Sequence, residues 1–148
     1  MNREIKFRGK RVNGGEWVYG MTISNGTIKR KINNIFFEVA ENKWVGVLPE
    51  TLGQYTGLKD KDGKEIYEGD ILKTPRGFIG QVVFGRAEEE CRHKVFGRMV
   101  IDCYTTYGWI FVRGDGYRCA IDDELLEGEI IGNIHDNPEL MKGGSNEA

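Results

Sequence analysis

Serine is almost missing from this 148-residue chain: Ser24 and Ser145 are the only two. Neither sits on the sharp strand-to-helix turn that exposes a catalytic serine. Histidine is as scarce, His93 and His135 alone, so a thiol or hydroxyl nucleophile has few bases to draw on. Cys91, Cys103 and Cys119 are odd in number and widely spaced, which excludes a disulfide framework and predicts three reduced, buried, inert thiols. Only three prolines occur, and the glycines follow no period, so collagen and proline-rich disorder are excluded. No apolar run approaches the roughly 18 residues that cross a bilayer, and the first residues lack a signal peptide's apolar segment. A cytoplasmic protein without a membrane partner is expected. Charge of one sign is also lacking: 21 Lys and Arg against 23 Asp and Glu leave −2, too little to draw the whole molecule to nucleic acid.

Cofactor signals are equally thin. No G-x-x-x-x-G-K-[ST] or G-x-G-x-x-G run opens a helix. Cys91-Arg92-His93 supplies two metal ligands where a structural zinc site takes four. Asp60-Lys61-Asp62-Gly63 resembles the start of a calcium loop, but its twelfth position falls on Gly69 and not on a glutamate. No cofactor, metal or small-molecule substrate is expected. An enzyme using Glu68, Asp70 or Cys103 is the least supported reading, and no catalytic residue is assigned.

What the chain does contain is glycine, 21 residues, together with three Trp, six Tyr and seven Phe. Turn signals recur about every ten residues between short apolar runs, the spacing of an all-β sandwich or barrel. In residues 1–50, Ile5 and Phe7 alternate with Lys6 and Arg8, which predicts the first pair facing a core and the second facing water. Runs over 17–23, 27–32, 35–39 and 44–48 follow, each joined by a connection too short for a crossover, which predicts an antiparallel meander. Strands are then expected near 66–72, 78–84, 96–103, 108–113, 117–121 and 129–135. Asp122-Asp123-Glu124-Leu125-Leu126 reads as one short helix with a capping aspartate. Residues 86–95 carry Glu88–Arg92 and Glu90–Lys94 at helical spacing over a thin apolar stripe, a marginal helix or a mobile loop. Residues 141–148 read as a disordered tail.

Two groups of residues stand out. Lys6, Arg8, Lys10 and Arg11, with Lys29, Arg30 and Lys31, form a basic cluster that could bind nucleic acid through phosphates. Against this, alternation places Phe7, Trp17 and Tyr19 on the core side, leaving the basic face without stacking aromatics. The second group is structural. Asp62-Gly63 has hairpin chemistry, and Gly69 before Asp70 permits a sharp turn whose carboxylate can fix a strand's entry. Charge is also uneven along the chain: nine basic and four acidic residues in 1–48 give +5, and one against eight in 122–148 gives −7. Such segments attract one another within a chain or between copies.

The run from Gly53-Gln54-Tyr55-Thr56-Gly57 through Lys59-Asp60-Lys61-Asp62-Gly63-Lys64 to Tyr67-Glu68-Gly69-Asp70-Ile71 resembles the signature of the YopX-like family of phage and prophage proteins. The opening Ile5-Lys6-Phe7-Arg8-Gly9, with Trp17-Val18-Tyr19-Gly20, and the closing Ile130-Ile131-Gly132-Asn133-Ile134-His135 resemble its two ends. The resemblance implies an SH3-like barrel over residues 51–140, self-association into a homo-oligomer and a phage or prophage origin. It implies no catalytic residues. Residues 86–94 are longer and more charged than the family pattern. The expectation is thus a non-enzymatic protein that acts by binding or self-assembly, with nucleic-acid binding as the alternative.

Overall fold

The computed structural model describes residues 4–20, 23–25 and 35–142. The chain is mostly β, and it divides into two compact units. The first comprises residues 1–58 with Glu65–Tyr67, and the second comprises Lys59–Lys64 with residues 68–148.

In the first unit, β1 (Phe7–Lys10) pairs antiparallel with β2 (Trp17–Gly20), and the turn between them is closed by the Arg11 N–H donating to the Glu16 carbonyl at 2.9 Å. A second sheet holds β3 (Ile23–Asn25), β4 (Ile35–Ala40) and β5 (Lys43–Val47). The expected single meander is therefore corrected: β2 and β3 are consecutive in the chain but lie in different sheets. The first sheet is instead extended by a long-range pairing, in which β1 takes β6 (Gly53–Lys59) as its other neighbour and β7 (Glu65–Tyr67) completes the order β2-β1-β6-β7. The core gathers Phe37, Val47 and Ile66, all fully buried. Gly9 belongs to it for a steric reason, since a Cβ there would lie 3.0 Å from that of Val47. Between β5 and β6, Thr51 Oγ1 accepts from the Lys10 N–H at 2.9 Å and donates to the Leu48 carbonyl at 2.7 Å, tying a single 3-10 turn to β1.

The second unit is one antiparallel sheet of order β11-β10-β9-β8-β12. Its strands are β8 (Asp70–Lys73), β9 (Ile79–Val95), β10 (Arg98–Arg113), β11 (Arg118–Ala120) and β12 (Glu129–Asn133). Four strands run as a meander, and the last returns to pair with the first. Among the described residues no sheet closes into a barrel, because no ladder joins β11 to β12. The core holds Ile71, Leu72, Val82, Ile110 and Phe111. Gly80 is a close-packing residue, with the Phe111 ring and the Val112 carbonyl each 2.7 Å from where a Cβ would stand. The expected short helix is present as α1 (Asp123–Leu126), with the Asp122 carboxylate accepting from the Leu125 N–H at 2.9 Å.

Residues 86–95 are neither helix nor loop. They continue β9 as strand, paired rung for rung with β10 from Gly80↔Arg113 to Val95↔Arg98. The helical spacing of acids and bases was outweighed by a non-local partner, and the ion pairs include the strand-spaced Arg86–Glu88 and, each at 3.3 Å, Arg92–Glu90 and the cross-strand His93–Asp102. Gly85, expected to end the strand of 78–84, and Gly108, expected to open that of 108–113, instead face each other inside one continuous ladder. The missing side chain at Gly85 lets the Arg118 guanidinium cross the strand, 3.2 Å from the Cβ position.

Candidate functional site

The basic residues of β1 do not form a water-facing row. Alternation and register place Lys6, Arg8 and Lys10 on the same sheet face as Trp17, Tyr19, Tyr55 and Tyr67. The Arg8 guanidinium lies 4.6 Å from the Trp17 ring centre and 5.0 Å from that of Tyr67, and the residue is only 7% exposed. Lys6 stands 5.2 Å over Tyr55 and Lys10 5.7 Å over Trp17, while Tyr19 and Tyr67 meet edge to face at 5.5 Å. Cation–aromatic attraction thus holds this face together. Two expectations are corrected here: Arg8 is buried rather than solvated, and Ile5 and Tyr19 are exposed rather than core. The opposite face, with its small Gly9 and Gly20, is the one that packs against Val47 and Phe37.

Lys6 hydrogen-bonds Glu65 and pairs with Glu4 at 3.4 Å. The Glu65 bond outweighs partial burial and lifts the ammonium above its ordinary value. Arg11 pairs with Glu16 at 3.1 Å. Lys29, Arg30 and Lys31 lie outside the described residues. The described part of the basic cluster is therefore engaged within its own unit.

The turn residues are placed as a set. Asp62 and Gly63, the latter at φ +81°, form the tight turn of the hairpin between β6 and β7. Gly69, at φ +93°, donates to the Val82 carbonyl and accepts from the Ile134 N–H, and Asp70 begins β8 as a buried residue. The carboxylate that organises the turn is one the sequence reading passed over. Asp60 Oδ1 accepts from the N–H groups of Asp62 and Lys64, both at 2.9 Å, and its Oδ2 accepts from Ile130 at 3.0 Å. Burial alone would raise its pKa, but the three backbone donors outweigh burial and hold the carboxyl below its ordinary range. The signal was present in Asp60-Lys61-Asp62, the spacing at which an aspartate bonds the backbone two residues on.

The second unit carries a cleft of its own. Its cleft of about 360 Å³ includes Thr74, Phe78, Arg113, Tyr117 and Asp122 in its lining. Arg113 packs over Phe78 at 4.3 Å and bonds Asp115 at 2.8 Å. Burial pushes the Cys119 thiol, at the same cleft, up to about 11, which keeps it protonated at neutral pH. Cys91 and Cys103 are exposed, not buried as expected. Among the described residues no cluster of three or more His, Cys, Asp or Glu could hold a metal, and no helix is long and apolar enough to cross a membrane.

The exposed thiols mark the feature that most distinguishes this molecule. β8 pairs with β9 only at residues 79–81, and β11 pairs with β10 only at 110–112. Beyond those rungs, β9 and β10 run on as a two-stranded arm, whose eleven residues from Gly85 to Val95 span roughly 33 Å at strand rise. Phe96 and Gly97, at φ +51° and +80°, turn the tip. Phe96 is fully exposed in a left-handed conformation that bulky residues rarely adopt. On one arm face β10 presents Met99, Ile101, Cys103, Thr105, Tyr107 and Trp109. Beside them β9 presents Phe84 and then Arg86, Glu88, Glu90, Arg92 and Lys94. Met99, Ile101, Tyr107 and Phe84 are all exposed, and Phe84 meets Trp109 edge to face at 5.1 Å.

The family model described as "YopX protein" matches residues 6–142, nearly the whole chain. The chain belongs to the YopX family. No curated protein matches it. Within this YopX chain, the match spans both units and includes the arm.

Proposed function

We propose that this YopX-family chain is a non-enzymatic phage or prophage protein of the host cytoplasm that acts by binding, in the first place to copies of itself. The observation that carries this reading is the arm, which projects exposed Phe84, Phe96, Met99, Ile101 and Tyr107 on a two-stranded ribbon to which no third strand is laddered among the described residues. An isolated two-stranded ribbon of this length buries little of its own apolar surface, and a long open edge is a template for another strand. The strand order of the second unit, a meander whose last strand returns to the first, also suits an SH3-like sheet, the finer form of its β architecture. Engagement of Lys6, Arg8 and Arg11 with aromatic or acidic partners supports self-binding over the nucleic-acid alternative.

Sedimentation of the full chain over a micromolar to millimolar range tests this reading. The mass is expected to rise with concentration. A variant in which Asn-Gly replaces residues 90–103, joining Glu89 to its rung partner Tyr104, is expected to stay monomeric with an unchanged thermal midpoint. A wild-type chain that remains a monomer, or a shortened chain that associates equally well, would overturn the reading.

A further inference from the structure

The outer edge of β9 carries an unusual order of charge. Glu88-Glu89-Glu90 precede Cys91, and Arg92-His93-Lys94 follow it. Read antiparallel against itself about Cys91, this segment sets every acid opposite a base: 88 against 94, 89 against 93, 90 against 92. A charged edge meant only to repel other strands has no need of that inversion.

The backbone supports the same register. The Val82 carbonyl accepts from Gly69 and the Arg86 carbonyl from the Arg118 guanidinium at 3.0 Å, so the even-numbered residues of β9 turn their backbone groups away from β10. Arg118 closes that edge at residue 86. From Glu88 to Lys94 no ladder covers it among the described residues. A pairing that places 88 opposite 94 and 90 opposite 92 joins even residues to even residues, as the outward groups require. It also sets Cys91 opposite its own copy in a non-hydrogen-bonded pair, where Cα atoms approach to about 4.5 Å. The Phe96 tip of one arm then comes level with Arg86 of the other, across from the exposed Tyr107 and one rung pair beyond Phe84. The 89–93 pair is the exception to the charge scheme, because the Glu89 carboxylate already accepts from the Ala120 N–H at 3.1 Å and His93 Nε2 lies 3.3 Å from Asp102 of its own chain. The existing Arg92–Glu90 and Arg86–Glu88 pairs are exposed and exchange partners at little cost.

We infer that two copies of this chain join β9 to β9 in antiparallel register about a two-fold axis through Cys91, with Glu88 facing Lys94 and Glu90 facing Arg92 of the second copy. The inference rests on the self-association reading and specifies its contact. The dimer is isologous and closed, and it joins the two arms into one four-stranded ribbon.

Charge reversal tests it. E88K/E90K and R92E/K94E each turn four attractive cross-strand pairs into repulsive ones, an expected weakening of about 100-fold in each variant alone. Mixing the two variants restores every opposite-charge pair and is expected to restore a heterodimer of wild-type affinity. Loss without rescue on mixing, or dimers that ignore both reversals, would overturn the register while leaving self-association standing. A wild-type chain that never associates would overturn both. Crosslinking supplies a second readout. With Cys103 and Cys119 replaced by serine, diamide is expected to join two Cys91 thiols as a disulfide, their two hydrogens reducing diamide to its hydrazine. The chain keeping only Cys103, equally exposed but on β10, is expected to stay uncrosslinked. Equal crosslinking of the two would contradict the register.

Discussion

Replacing Asp60 by alanine is expected to destabilise the second unit by about 3 kcal/mol, the sum of three charge-assisted hydrogen bonds less the water that partly replaces them. The residue is 6% exposed. Two of its bonds close the turn at Asp62 and Lys64, and the third reaches Ile130 in β12, seventy residues away. That reach makes the loss larger than for an ordinary turn aspartate, because the hairpin loop and the returning strand are released together. Thermal unfolding is expected to shift downward by roughly 10 °C in a chain of this size. The carboxyl is held below its ordinary range, so its contribution is fully present above the unfolded-state pKa of about 4 and fades as pH falls through the lower folded value. Asp60→Asn keeps the shape without the charge. The stability gap between wild type and Asp60→Asn is therefore expected to be widest near neutral pH and to narrow below about pH 4. Urea titrations at a series of pH values measure it, and a gap independent of pH would contradict the assignment.

Arg8→Ala is expected to cost the first unit about 3 kcal/mol, the loss of two desolvated cation–aromatic contacts together with the packing of the arginine stem. The guanidinium lies between Trp17 and Tyr67 and is almost wholly buried. Lysine keeps the charge but not the planar group that stacks on two rings, so Arg8→Lys is expected to recover less than half of the loss. The result also separates structure from nucleic-acid binding. A phosphate-binding Arg8 would leave stability nearly unchanged and would lower the salt dependence of nucleic-acid affinity instead. Denaturant melts of the two variants, read by tryptophan fluorescence, decide the point.

The legible parts of the fold were those set by local chemistry. Glycine and aspartate at Asp62-Gly63 and Gly69 marked turns because few other residues adopt positive φ without strain. Asp122 marked the start of α1 because a helix N-terminus needs an acceptor. The parts that escaped were those decided by partners distant in sequence. β1 binds β6 across more than forty residues, a neighbour that the expected meander did not contain. Arg8 faces aromatics contributed by β2 and β7, so a rule that sends every cation to water and every aromatic to the core put Arg8 and Trp17 on opposite faces where the register sets them on one. Residues 86–95 offered helical charge spacing and almost no apolar alternation. Only the register against residues 98–113 makes them a strand. The open edge of the arm escaped for the same reason, since an edge exists only once the pairing is known.

Residue-resolved amide exchange on the arm tests the open edge most directly. The odd-numbered amides Glu89, Cys91, His93 and Val95 face β10 and are expected to be protected at every protein concentration. The even-numbered amides of Glu88, Glu90, Arg92 and Lys94 are expected to exchange fast in dilute solution and to slow as concentration rises, all four together. Exchange at these four positions that stays fast whatever the concentration would contradict the claim that a second copy completes this strand.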